Sequence, residues 1–125
     1  MESVIGFLRS LRTAFSGLVH VVRVERNARF HLVIAVLALL LAVALNVSNA
    51  ELAAIFFAII IVFVSEVVNT AIEKILDLIE PNHNQQVRII KDIAAGAVLV
   101  AAVGAAAIGV AVFGPYLTGF IWPLS

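Results

Sequence analysis

From residue 93 to residue 113 the chain runs for roughly 21 residues without a charge, and two further apolar runs, 32–47 and 52–64, precede it. A spanning helix needs about 17 to 25 mostly apolar residues. Lipid offers no partner to an unpaired backbone amide, so such runs cross a bilayer as helices. Composition agrees, since 63% of the 125 residues are apolar and 13% are charged, against about 25% charged in a soluble domain. The chain reads as an all-α integral membrane protein in one domain, residues 1–125. Eight Lys plus Arg balance eight Asp plus Glu, which argues against a general nucleic-acid binder. Without cysteine there is no disulfide, thiolate metal site or Cys nucleophile. The N-terminus lacks a short basic segment followed by an unbroken apolar run, so no cleavable signal peptide is expected.

Three spans follow from the pattern. The first occupies 29–47, with its apolar run 32–47 interrupted only by Asn46, and the polar stretch 46–51 supplies a turn with Ser48 and Asn49 as candidate helix caps. The second, 51–79, continues its apolar period past residue 64 with acids and amides interleaved, and is stopped by Pro81 and the polar segment after it. The third covers 91–113, where Ala97, Ala101, Ala105 and Gly109 recur every four residues and suit close helix contact. Ahead of them, Val4, Phe7, Leu8, Leu11, Phe15, Leu18 and Val22 repeat at three to four residues with Arg9, Arg12 and Arg23 between. Residues 1–28 therefore read as an amphipathic helix lying in the membrane interface. Basic residues cluster before the first span and around the second connection, as Lys74, Arg88 and Lys91, and are missing from the first loop and the tail. The positive-inside rule makes the N-terminus cytoplasmic and the C-terminus external, with Tyr116 and Trp122 in the outer aromatic belt.

The polar residues within this apolar frame carry the chemistry. Glu66, Asn69, Thr70, Glu73 and Asp77 fall on one face of the second span. An acid near the centre of a span costs about 2.5 to 3.5 kcal/mol, so Glu66 needs a partner or a purpose. Helical rise puts Glu73 roughly 10 Å nearer the cytoplasm than Glu66, with Asp77 near the aqueous edge. Two further clusters belong to the same side: Glu25, Asn27, Arg29 and His31 before the first span, and Lys91 with Asp92 before the third. Carboxylates, an amide, an arginine and a lysine together suit a magnesium-bound polyphosphate, leaving Glu66 as a base at the depth of a lipid hydroxyl. Duller readings accompany each: Glu25 and Arg29 as an i,i+4 helix pair, Asp77 as a solvated interface acid, Lys91 and Asp92 as charges that set the register of the third span, and His31 as an interfacial histidine without a metal. No GxxxxGK(S/T) loop, kinase GxGxxG–HRD–DFG set, His-rich zinc pattern or serine elbow is present.

The run Glu66-Val-Val-Asn69-Thr70-Ala71-Ile72-Glu73, then Asp77, then Lys91-Asp92-Ile-Ala-Ala-Gly96-Ala97-Val98-Leu99 resembles the signature of the small prokaryotic diacylglycerol kinase family across residues 6 to 113. The resemblance implies a homotrimer of three-span subunits in the bacterial plasma membrane that transfers the γ-phosphate of ATP to a lipid alcohol. It implies Glu66 as general base, Glu25 and Glu73 as ligands of the nucleotide's Mg2+, Asn69, Asp77, Lys91 and Asp92 along the nucleotide and phosphate site, and Gly17 near the adenine end. Two branches share this core, one acting on diacylglycerol and one on undecaprenol. Glu25-Arg26-Asn27-Ala28-Arg29-Phe30-His31 resembles the E-R-N-x-x-x-H stretch of the undecaprenol branch, and Ala94-Ala95-Gly96 its A-A-G, so undecaprenol is expected. The other classes open to a row of membrane carboxylates are a proton or ion relay, which predicts flux without ATP consumption, and an anchor whose polar face only joins helices.

Overall fold

The computed structural model describes residues 2–121, and Trp122 lies outside them. Four helices follow one another: α1 (Glu2–Val24), α2 (Arg26–Ala44), α3 (Asn49–Ile79) and α4 (Gln85–Ile121), and no strand is present among the described residues. α2, α3 and α4 are each long and apolar enough to cross a membrane. The chain is a multi-pass membrane protein. The 31 residues of α3 give a helix of about 46 Å, longer than the hydrocarbon layer.

Only Glu25 separates α1 from α2, in an extended conformation at φ −93° and ψ 118°. Its N–H still bonds to Val21 O at 2.8 Å and its carbonyl receives Arg29 N–H at 3.3 Å. The break thus falls at Glu25, with residues 26–28 in α2. Arg29 spans it, Nη1 donating to Arg23 O at 3.1 Å, which satisfies one of the carbonyls that a helix C-terminus leaves free. No Glu25–Arg29 ion pair forms among the described residues; the guanidinium is committed to the end of α1 instead.

The α2–α3 turn follows from its residues. Asn46 takes φ +51°, a left-handed conformation that asparagine tolerates. Asn46 N–H bonds to Val43 O and Val47 N–H to Ala42 O, the paired bonds of a Schellman cap, with Val47 packed on the apolar cluster of Ala42, Ile55 and Val112. Ser48 then opens α3 through a capping box: its backbone N–H donates to Glu51 Oε2 at 2.8 Å and its hydroxyl oxygen accepts Glu51 N–H at 3.3 Å. At the opposite end, Asn84 Oδ1 accepts Gln86 N–H at 2.8 Å and starts α4.

α4 continues beyond residue 113 through Pro115 to Ile121. Proline removes one N–H but breaks no lipid-exposed ladder beyond repair. Three residues on, Thr118 Oγ1 donates back to Gly114 O at 3.0 Å, an i to i−4 bond within the same turn. Tyr116, expected in a tail, therefore stands on α4.

The buried side chains of α2 are Ala28, Ala35 and Ala42, seven residues apart, and those of α3 are Ile55, Ala58, Val62, Glu66, Asn69 and Thr70. The heptad spacing on α2 and the steps of three and four from Ile55 to Asn69 on α3 are those of a two-helix seam. Ala42 meets Ile55 in the apolar cluster and His31 meets Glu66, so the antiparallel register sets Ala35 opposite Val62 and Ala28 opposite Asn69. Small residues on α2 let the helices close over a stripe that is apolar at one end of α3 and polar at the other. α4 lies antiparallel along α3, with Tyr116 at Glu51 and Lys91 at Asp77 marking the two ends of the contact. Of the four-residue stripe of α4, Ala97 is exposed, whereas Ala101, Ala105 and Gly109 are half-buried, and the last two line an apolar cavity between α2, α3 and α4.

Large apolar side chains cover the outside of α2, α3 and α4, and on α1 Phe7, Leu8, Leu11 and Phe15 are all exposed. In water such a surface would be prohibitive; against lipid it costs nothing.

Candidate functional site

Glu66 is 2% exposed and sits mid-helix, roughly 25 Å along α3 from its start and 20 Å from its end. The carboxylate faces α2, where His31 Nε2 lies 3.3 Å from Oε1. The contact is ionic in distance but not a well-aligned hydrogen bond, and Oε1 has no other partner among the described residues. Glu73 stands two turns further along α3, and Glu25 directly precedes α2, the helix that carries His31.

One turn further along α3, Asn69 Nδ2 donates to Glu73 Oε1 at 3.2 Å. Asn69 Oδ1 is buried without a hydrogen-bond partner among the described residues, an unsatisfied acceptor that calls for an explanation. Thr70 turns its hydroxyl back to Glu66 O at 2.9 Å and is thereby occupied as a helix-internal bond. At the exposed end, Lys91 Nζ donates to Asp77 Oδ1 at 2.6 Å, joining α4 to α3. Asp92 is exposed beside it. Gly17 is exposed on α1, about 12 Å along the helix from Glu25, and a Cβ there would meet nothing within 4 Å; it touches none of the other expected site residues.

Two cavities lie near this row. The first, about 330 Å³, is lined by apolar residues of α2, α3 and α4 such as Ile34, Ile55, Val62 and Phe113, and by His31. The second, about 730 Å³, is polar and lies between the end of α3, the connection and the start of α4, with Asp77, His83, Arg88, Lys91 and Asp92 in its wall. Along α3, Glu66, Asn69 and Glu73 fall between Val62 of the first and Asp77 of the second and line neither. A greasy alcohol suits one cavity and a polyanion held by Lys91 and Arg88 suits the other.

Magnesium keeps several waters and takes one or two carboxylates, with phosphate oxygens completing its shell. Glu25, Glu73 and the orphaned Asn69 Oδ1 provide that hard-oxygen chemistry. Among the described residues no three acidic or histidine side chains converge as a self-contained cage. The donors fit a metal that shares its shell with a nucleotide.

Three apolar spans around a single buried acid, with a carboxylate–lysine cluster at one end, define a membrane-embedded enzyme that works at the lipid boundary. The model of the prokaryotic diacylglycerol kinase family matches residues 12–113. The chain belongs to that family and is a lipid kinase. The undecaprenol kinase of Bacillus subtilis is 39% identical over 111 residues, covering 89% of this chain and 90% of the relative. The diacylglycerol kinase of Synechocystis sp. is 33% identical over 103 residues, or 82% of this chain, and the match spans 59% of that relative's length. No solved structure gives a significant match.

His31 is the residue whose place the sequence reading missed. Its signal was present: with Ala28, Ala35, Ala38 and Ala42 it completes an alternation of three and four residues on α2, the same seam that carries Glu66 on α3.

Proposed function

We propose that this kinase transfers the γ-phosphate of ATP to undecaprenol, giving undecaprenyl phosphate, as a homotrimer in the bacterial plasma membrane with its N-terminus cytoplasmic and its C-terminus outside. The observation that carries the reading is Glu66, buried between an apolar cavity that ends at His31 and a polar cavity walled by Lys91 and Asp92. The relative at 39% identity supports the polyprenol substrate, as does the stretch from Glu25 to His31.

Glu66 acts as general base. As the lipid oxygen attacks the γ-phosphorus, its hydroxyl proton passes to the carboxylate, the bond from the γ-phosphorus to the bridging oxygen breaks, and ADP leaves. Positioning and charge compensation supply most of the rate, as in other phosphoryl transfers. Lys91, steadied by Asp77, offers its cation to the phosphates, and Asn69 and Asp92 line the same path. Glu25 and Glu73 would hold the Mg2+ that accompanies ATP, whose charge offsets that of the phosphates. Gly17 would lie near the adenine, with the absence of a side chain leaving the base room against α1.

The test is transfer of labelled phosphate from ATP in mixed micelles, with undecaprenol and diacylglycerol compared in parallel. The reading expects a strong preference for undecaprenol. Preference for diacylglycerol would move the chain to the other branch, for which the Synechocystis relative speaks. Consumption of ATP with neither lipid would remove the functional account.

A further inference from the structure

We propose that His31 is a positioning residue for the transfer: it holds one oxygen of the Glu66 carboxylate so that the other is presented to the lipid hydroxyl. The inference rests on Glu66 being the base. Three observations carry it. First, Glu66 Oε1 has no partner among the described residues except His31 Nε2 at 3.3 Å. A carboxylate side chain 3% exposed on a long, rotatable stem needs a donor to select one orientation. Second, among the described residues His31 is the sole titratable side chain lining the apolar cavity, so a lipid whose chain lies among Ile34, Ile55 and Phe113 brings its polar end to His31, and through it to the adjoining Glu66. Third, the His31 side chain is 22% exposed against 3% for Glu66. It therefore reaches from the buried acid towards the open side of the seam.

The charged neighbours leave this role to His31. Glu25, just ahead of α2, and Glu73 on α3 are acids, which repel a carboxylate rather than hold it. α4 carries no titratable side chain between Asp92 and Tyr116, and the titratable residues of α1 nearest the break are His20 and Arg23. The tautomer follows from the acceptor it faces, with the proton on Nε2. During transfer His31 keeps that proton throughout. The alcohol proton goes to the free oxygen of Glu66, the new bond joins the alcohol oxygen to the γ-phosphorus, and ADP departs with the electrons of the broken bond.

The experiment measures steady-state transfer to undecaprenol in His31→Ala, His31→Gln, Glu66→Gln and the double variant His31→Ala/Glu66→Gln. His31→Ala should lower kcat by roughly 10- to 100-fold, the range for loss of an orienting partner of a functional ligand, with KM for Mg-ATP unchanged to within about twofold. His31→Gln places an amide donor near the position of Nε2 and should recover most of that rate. In the Glu66→Gln background, His31→Ala should change the residual rate by less than about twofold, since a residue acting through Glu66 has nothing left to act on. A His31→Ala enzyme within about twofold of the parent, a loss confined to KM for ATP, or an undiminished effect in the Glu66→Gln background would each overturn the inference. If Glu66→Gln itself turned over normally, the base assignment would fall first; if Glu66→Gln were inactive and His31→Ala active, only the role of His31 would fall.

Discussion

Replacing Glu66 by glutamine should separate the fold from the chemistry. The amide keeps the volume and leaves a carbonyl oxygen where Oε1 faces His31 Nε2 at 3.3 Å. Two stability changes then oppose one another. The buried negative charge disappears, which relieves a desolvation cost, and its attraction to His31 weakens, which removes what offset that cost. Each is on the order of a few kcal/mol in the interior, and their difference should leave the fold within about 1 kcal/mol of the parent. Loss of a positioned base, by contrast, removes about 10²- to 10⁴-fold in rate, equivalent to about 3 to 5 kcal/mol in the barrier. Thermal unfolding in detergent should thus barely move while labelled-phosphate transfer collapses, with KM for ATP preserved because Lys91 and Asp77 are untouched. Turnover within about threefold of the parent would refute the assignment of base. Collapse of the folded protein alongside the activity would make Glu66 a structural acid instead.

Glu25→Ala and Glu73→Ala should each shift the magnesium titration of activity to higher concentration before abolishing turnover, and an unchanged titration in either would remove that residue from the metal site. Asp77→Asn breaks an exposed ion pair with Lys91, which solvent screens, so unfolding should be unaffected while KM for ATP rises as the ammonium loses its tether. Tyr116→Phe removes the hydrogen bond to Glu51 Oε2 at 2.7 Å and should lower the thermal unfolding midpoint in detergent, since a charge-assisted bond between α4 and the start of α3 is lost. Its kcat should stay at the parent value, since that contact lies at the far end of α3 from Asp77.

The spans were legible because hydropathy and length are local properties, and so was the cap at Ser48, whose capping-box partner Glu51 stands three residues on. The polar face of α3 was also legible, since helical period alone aligns Glu66, Asn69, Glu73 and Asp77. The break at Glu25 was not: the apolar period of α1 runs up to Val22 and that of α2 resumes soon after, so nothing in the spacing marks one residue as extended. Nor was the length of α4, because Pro115 and Gly114 signal a stop in water that neighbouring helices and lipid override. The partner of Glu66 depends on how far α2 is rotated and slid against α3. That is set by alanines packing across the seam, a property of two helices rather than of either sequence.

The one-residue junction at Glu25 has a mechanical meaning. A flexible linker would let the helix carrying Phe7, Leu8 and Phe15 ride up or down without disturbing the bundle. Here there is no slack: α1 and α2 are coupled through a single peptide unit and clasped by the bond from Arg29 to Arg23. The acid proposed to grip the nucleotide's metal stands at that pivot. Any change in the angle between α1 and α2 must consequently pass through the backbone of that one residue.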